Sequence, residues 1–153
     1  MRGSRVRRRA AATLARVAAA QRLTRDPRIA VTGFEAEIGS RYTYQTIAWL
    51  SRHAPGARFV WIMGADNLQQ FHLWRRWRDI ADLAPIVVVD RPGATLKALA
   101  GPAGGALSRY RRSEAAAPGF GRLPPPAFLF LHGPRSELSS TALRRAAAAD
   151  APS

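Results

Sequence analysis

The hydrophobic pattern along the chain is built around three short apolar runs, Phe59–Met63, Ile86–Val89 and Ala127–Leu131. None of them alternates with polar residues, which is the pattern of strands buried on both faces. Each run ends in a turn: Gly64-Ala65-Asp66, Asp90-Arg91-Pro92-Gly93 and His132-Gly133-Pro134. Helical spacing fills much of the rest. A helix is predicted over residues 4–24, with Leu14, Val17, Ala18 and Gln21 on one face, stopped by Asp26-Pro27. Ile29 and Val31 share a face in a predicted strand Arg28–Thr32, and Gly33 to Arg41 reads as a loop. A helix Thr43–His53 follows, with Thr43 as N-cap and Ile47 and Leu50 as its apolar stripe. Another runs from about Trp74 to Leu83, with Trp77, Ile80 and Ala81 facing inward. Residues 94–126 lose periodicity, are rich in Gly, Pro, Ala and Arg, and read as a partly helical, loosely ordered connection. A last helix is predicted from about Ser139 to Ala149. Strands alternating with helices of these lengths call for an α/β fold, a parallel sheet flanked by helices, in one domain over 1–153.

Composition narrows the function classes. The chain has 153 residues and no cysteine, which excludes a disulfide or thiolate–metal framework. No apolar run approaches the ~20 residues needed to span a bilayer, so no membrane association is expected. The net charge of +14 comes from 24 basic residues, of which Lys97 is the only lysine. Such an Arg bias fits the coding composition of a GC-rich genome, so charge alone does not make nucleic acid the expected partner. A small polyphosphate such as ATP would draw on the same field. The basic, Ala-rich residues 1–25 have the character of a transit peptide, but the reading adopted is an ordinary surface helix.

Three groups of residues carry candidate chemistry. Asp66, just past Gly64, is placed either to accept hydrogen bonds from ribose hydroxyls or to cap a helix. Trp74 and Trp77 lie one helical turn apart. Trp77 fits the inward stripe, which leaves Trp74 as the one able to stack on a heteroaromatic ring. Ser139, Ser140 and Thr141 at a helix start, with Arg144 one turn on, suit an anion or only a capped helix. Arg91, at a strand end, can reach a phosphate or pair with a carboxylate. His53, His72 and His132 are scattered without metal-ligand spacing, and neither a catalytic triad nor a P-loop is present.

Together, RYTYQT at 41–46, FVWIMGADNLQQFHLWRRW at 59–77, VVVDRPG at 87–93, FLHGP at 130–134 and LSSTALR at 138–144 resemble bacterial nicotinate-nucleotide adenylyltransferase, from about Ala11 to Arg145. The resemblance implies a Rossmann-like nucleotidyltransferase fold and a cytoplasmic enzyme of NAD biosynthesis. Such an enzyme transfers AMP from ATP to nicotinate mononucleotide, with Mg2+ on the polyphosphate, giving deamido-NAD and pyrophosphate. It further implies that Gly64 and Asp66 hold nucleotide ribose, that Trp74 stacks on the nicotinate ring, and that the Arg75 backbone N–H meets the nicotinate carboxylate. Tyr42 and Thr43 would line the nicotinate pocket. Arg91, Ser140, Thr141 and Arg144 would bind ATP phosphates.

The sequence departs from the family at its catalytic motif. A strand and helix carrying G-x-F-x-P-x-H-x-G-H, and a second strand with a Lys-bearing loop, are absent here. No catalytic residue is therefore assigned. The expectation is an N-terminally incomplete form, with Arg28–Thr32 lacking its natural neighbour strand and with turnover below that of the family. A non-catalytic nucleotide-binding remnant and a basic nucleic-acid-binding protein remain the alternatives.

Overall fold

The computed structural model describes residues 14–90 and 93–132, which divide between two units, 1–46 and 47–153. In the first unit, residues 14–23 form helix α1. It ends where Thr24 turns back on Ala20, its N–H and its hydroxyl both donating to that carbonyl at 3.1 and 2.9 Å. Asp26 then closes a tight turn, accepting from the Arg28 backbone N–H at 2.9 Å and pairing with its guanidinium at 2.7 Å. That guanidinium holds the Asp26 carboxyl below the usual carboxylate range.

The predicted strand Arg28–Thr32 does not form. Its residues join no ladder and Ile29 is 59% exposed. The physical reason is that no strand pairs with it among the described residues: the Arg28 and Ile29 N–H groups turn back on Asp26, and Val31 O accepts from Gln21 Nε2 at 3.2 Å. The expected loop after it holds a one-turn helix, α2 (Phe34–Glu37). Gly39, at φ 65°, ends α2 in the left-handed region that favours glycine. The Ser40 N–H reaches Glu35 O at 2.9 Å and the Gly39 N–H reaches Ala36 O at 3.2 Å, a Schellman closure.

Helix α3 (Thr43–His53) begins where expected, but Thr43 is its first residue and not its cap. The cap is supplied from inside: Gln45 Oε1 accepts the N–H groups of Arg41 and Tyr42 at 2.9 and 3.3 Å, one half of a capping box.

The second unit carries the sheet. β1 (Trp61–Gly64), β2 (Ile86–Val89), β3 (Arg111–Arg112) and β4 (Phe128–Leu131) are all parallel, in the order β1-β2-β4-β3. The three apolar runs of the sequence thus become three adjacent strands. Ile86, Val88, Phe128 and Phe130 on one face and Val87 and Leu129 on the other are all buried, as continuous apolar strands require. Val87 and Leu129 pack with Phe120 and Ala127, and with the partly buried Val60, Leu123 and Leu131. Between β1 and β2 run α4 (Ala65–Phe71) and α5 (Trp77–Leu83), which bury Leu68, Phe71, Trp77 and Ile80.

Residues 94–126 hold α6 (Thr95–Ala100), α7 (Pro102–Leu107), strand β3 and two 3-10 segments, Ser108–Tyr110 and Glu114–Arg122. Ala98, Ala103, Leu107 and Phe120 from this stretch are buried. Small residues let α6 and α7 approach closely, which hides them from a periodicity reading that looks for large apolar side chains.

Candidate nucleotide site at the carboxyl ends of the strands

The strand register sets the frame of the site. Gly64, Val89 and Leu131 form one row across β1, β2 and β4. One residue further on come Ala65, Asp90 and His132, at the carboxyl ends of parallel strands where open α/β sheets bind ligands. The Asp90 N–H donates to Leu131 O at 2.9 Å, so the row stays tied past the end of β2. The Asp90 carboxylate accepts from the Thr95 hydroxyl, and Gly93 turns the loop at φ 78°. Gln69 Nε2 donates to Ala94 O at 3.4 Å, joining α4 to the same loop.

Gly64 is the N-cap residue of α4, in extended backbone with φ −78° and ψ 159°. Asp66 therefore lies inside the first turn of α4 and does not cap it, and its side chain is exposed. Of the two roles open to Asp66, the structure removes the capping one.

Trp74 does not begin a helix, as its spacing had suggested, but sits in the turn between α4 and α5. The physical reason is Arg76, whose left-handed backbone (φ 55°) breaks the helical path just before Trp77. The turn is closed by bonds from the Leu73 N–H to Gln70 O, the Trp74 N–H to Phe71 O and the Trp77 N–H to Trp74 O, at 2.9, 3.0 and 3.2 Å. The Arg76 guanidinium pairs with Asp79 in the first turn of α5. Trp74 is half-buried, with Phe71 edge-on at 5.4 Å and Trp61 edge-on at 6.3 Å. Trp77 is buried against Phe71 at 5.6 Å, with the Arg78 guanidinium 4.5 Å over its ring. Arg75 is exposed beside Trp74. Tyr42 and Thr43 lie at the start of α3, in the first unit. Arg91, Ser140, Thr141 and Arg144, with the helix predicted from Ser139, lie outside the described residues.

Two features escaped sequence reasoning. Trp61 Nε1 and His72 Nδ1 are buried without a hydrogen-bond partner among the described residues. Glu114 Oε1 meets His132 Nδ1 at the end of β4, and that hydrogen bond holds the Glu114 carboxyl below its ordinary range, helped by the His132 N–H and the nearby Arg111. The Glu114–His132 pairing has no signal in sequence spacing, because it depends on which strands are neighbours. Two clefts open elsewhere. One, of about 620 Å³ in the first unit, is lined by Arg16, Thr32, Glu35 and Ser40. The other, of about 260 Å³ near the amino ends of the strands, is lined by Arg58, Phe59 and Arg122. Neither is lined by Gly64, Asp66 or Trp74.

A parallel sheet whose strands alternate with flanking helices is a Rossmann-type α/β architecture. A family model for cytidylyltransferase-like proteins matches residues 8–146. The chain is 58% identical to "Probable nicotinate-nucleotide adenylyltransferase" of Methylorubrum extorquens, over 84% of this chain and 70% of the relative. It is 51% identical to the protein of that name from Agrobacterium fabrum, over 84% of this chain and 69% of the relative. A third, from Brucella abortus, is 48% identical over 90% of this chain and 71% of its own length. The chain belongs to the nicotinate-nucleotide adenylyltransferases, within the cytidylyltransferase-like family.

Proposed function

We propose that the chain transfers AMP from ATP to nicotinate mononucleotide, a step of NAD biosynthesis. The observation that carries this reading is Trp74: a half-buried indole, braced edge-on by Phe71 and Trp61, in the turn that follows α4, the helix whose first turn holds Asp66 after Gly64. An indole held this way offers a π face to a pyridine ring at little entropic cost, because its neighbours have already fixed it. Gly64 and Asp66 would hold ribose, and the Arg75 N–H would meet the nicotinate carboxylate. Tyr42 and Thr43 would line the nicotinate pocket. Arg91, Ser140, Thr141 and Arg144 would bind the ATP phosphates.

In the reaction, a phosphate oxygen of nicotinate mononucleotide attacks the α-phosphorus of ATP. The new P–O bond forms as the bond to the β-phosphate oxygen breaks, and pyrophosphate leaves. Catalysis of this kind is positioning and charge stabilisation without a covalent enzyme intermediate. Among the described residues no group of three His, Asp or Glu side chains could hold a metal ion. Mg2+ would be carried on the ATP phosphates, where it would neutralise charge on the leaving group. No described helix is long and apolar enough to cross a membrane. The proposed substrates are soluble nucleotides, so the reaction would belong to the cytoplasm.

Replacing Trp74 tests the reading. Trp74→Ala is expected to weaken nicotinate mononucleotide binding by roughly 10- to 100-fold, the size of one lost stacking contact. ATP affinity should change by less than about 3-fold, and Trp74→Phe should keep most of the binding. Equal mononucleotide affinity of Trp74→Ala and the wild type in calorimetry would refute it. A second reading, a nucleotide-binding module without catalysis, is favoured by one observation: none of His53, His72 and His132 stands in an H-x-G-H pattern. Mononucleotide binding without pyrophosphate release would decide for it.

A further inference from the structure

Strand β3 is only two residues long, yet it determines what stands at the end of β4. It runs parallel to β4 with Arg111 opposite Phe128 and Arg112 opposite Leu129. Continued two residues further, the same register brings Glu114 level with Leu131, at the carboxyl end of the sheet. There Glu114 Oε1 accepts the His132 backbone N–H at 3.3 Å and contacts His132 Nδ1. The imidazole is braced a second time by Phe130, 5.0 Å away and tilted by 49°, over whose ring the Arg111 guanidinium lies at 5.8 Å.

A carboxylate on Nδ1 does two things to a histidine. It fixes the ring orientation, and it leaves Nε2 as the ring nitrogen open to a ligand, where an anion would be met by an N–H donor. His132 stands one residue past the row that also carries Gly64 and Val89. Two strand spacings, about 10 Å, separate it from the start of α4. A nucleotide whose ribose lies near Asp66 and whose phosphates extend across β2 would reach it.

We propose that His132 is a phosphate-binding residue of the ATP site, donating from Nε2 to the polyphosphate, and that Glu114 is its positioning residue. The inference rests on the reading that ATP binds at these strand ends. It adds a phosphate donor that the resemblance did not supply. A stabilising role accounts poorly for the pair, since both side chains are about half exposed, at 48% and 46%, and such surface pairs contribute only ~0–1 kcal/mol.

The test uses the full chain and calorimetric titration with ATP–Mg2+, inorganic pyrophosphate and nicotinate mononucleotide. His132→Gln is expected to weaken ATP and pyrophosphate by roughly 10-fold or more, the loss of one charge-assisted bond. Nicotinate mononucleotide affinity should stay within about 2-fold, and Glu114→Gln should give a smaller loss for ATP and pyrophosphate alone. Unchanged ATP affinity in His132→Gln would overturn the proposal. Equal weakening of all three ligands would also overturn it, because it would mark a structural role. A wild-type chain that binds the mononucleotide but not ATP would refute the inference and leave the nicotinate pocket standing. A wild-type chain that binds neither would sink the proposed function and the inference with it.

Discussion

Phe71→Ala is expected to destabilise the sheet-bearing unit by ~3–5 kcal/mol and to abolish the ordered presentation of Trp74. Phe71 is fully buried at the end of α4, and its ring touches both Trp74 and Trp77, at 5.4 and 5.6 Å. Truncation leaves a cavity between two edge-on contacts that the surrounding backbone cannot close, because α4 is held at its other end by the β1 turn. The thermal midpoint should fall by on the order of 15 °C, read by far-ultraviolet circular dichroism. Nicotinate mononucleotide affinity should fall at temperatures where the variant is still folded. Phe71→Leu, which keeps most of the volume, should recover much of the stability and less of the affinity, since a leucine offers no ring edge to Trp74. A Phe71→Ala chain that melts like the wild type would refute this account of the core.

The second large effect is at Gly104, where helix propensity and tertiary packing predict opposite signs. Gly104 lies inside α7, and by propensity alone Gly→Ala there should stabilise by ~1 kcal/mol. A Cβ at Gly104, however, would stand 2.3 Å from Ala98 O, 2.6 Å from Leu99 O and 2.8 Å from Leu99 Cα. All three are backbone atoms of α6, so no side chain can rotate away. Gly104→Ala is therefore expected to destabilise by ~1–3 kcal/mol or more, through forced separation of α6 from α7. Its neighbour is the control. Gly105 is exposed in the same helix and an added Cβ meets nothing within 4 Å, so Gly105→Ala should stabilise by ~0.5–1 kcal/mol. Chemical denaturation of the two variants side by side reads the difference. Two shifts of the same sign would show that the close approach of α6 and α7 is not what the unit depends on.

The outcome at each element follows from the range of the interaction that decides it. Phe59–Met63, Ile86–Val89 and Ala127–Leu131 were legible as strands because burial on both faces leaves an unbroken apolar run, a property of the run itself. Their observed bounds, Trp61–Gly64, Ile86–Val89 and Phe128–Leu131, differ by at most one or two residues. Trp77 was legible as core for a similar local reason, its spacing to Ile80 and Ala81. Arg28–Thr32 misled, because alternation of Ile29 and Val31 says which face a strand would bury but not whether a neighbour exists to pair with it. Trp74 misled in its local structure, because one left-handed residue, Arg76, turns a continuous helical pattern into helix, turn and helix. The segment 94–126 hid its helices behind alanine and glycine, whose value lies in letting backbones approach.

By itself, then, the sequence determined the parallel α/β class and the choice of Trp77 over Trp74 as the buried ring. Those are encoded in contiguous runs and fixed periods. Only the tertiary structure decided that Asp66 lies within the first turn of α4 and does not cap it, that Phe71 and Trp61 brace Trp74, and that Glu114 meets His132 across 18 residues of chain. Each of these depends on strand register or on a single backbone angle. Register pairs residues far apart in the chain, and the local pattern of side chains carries no record of it.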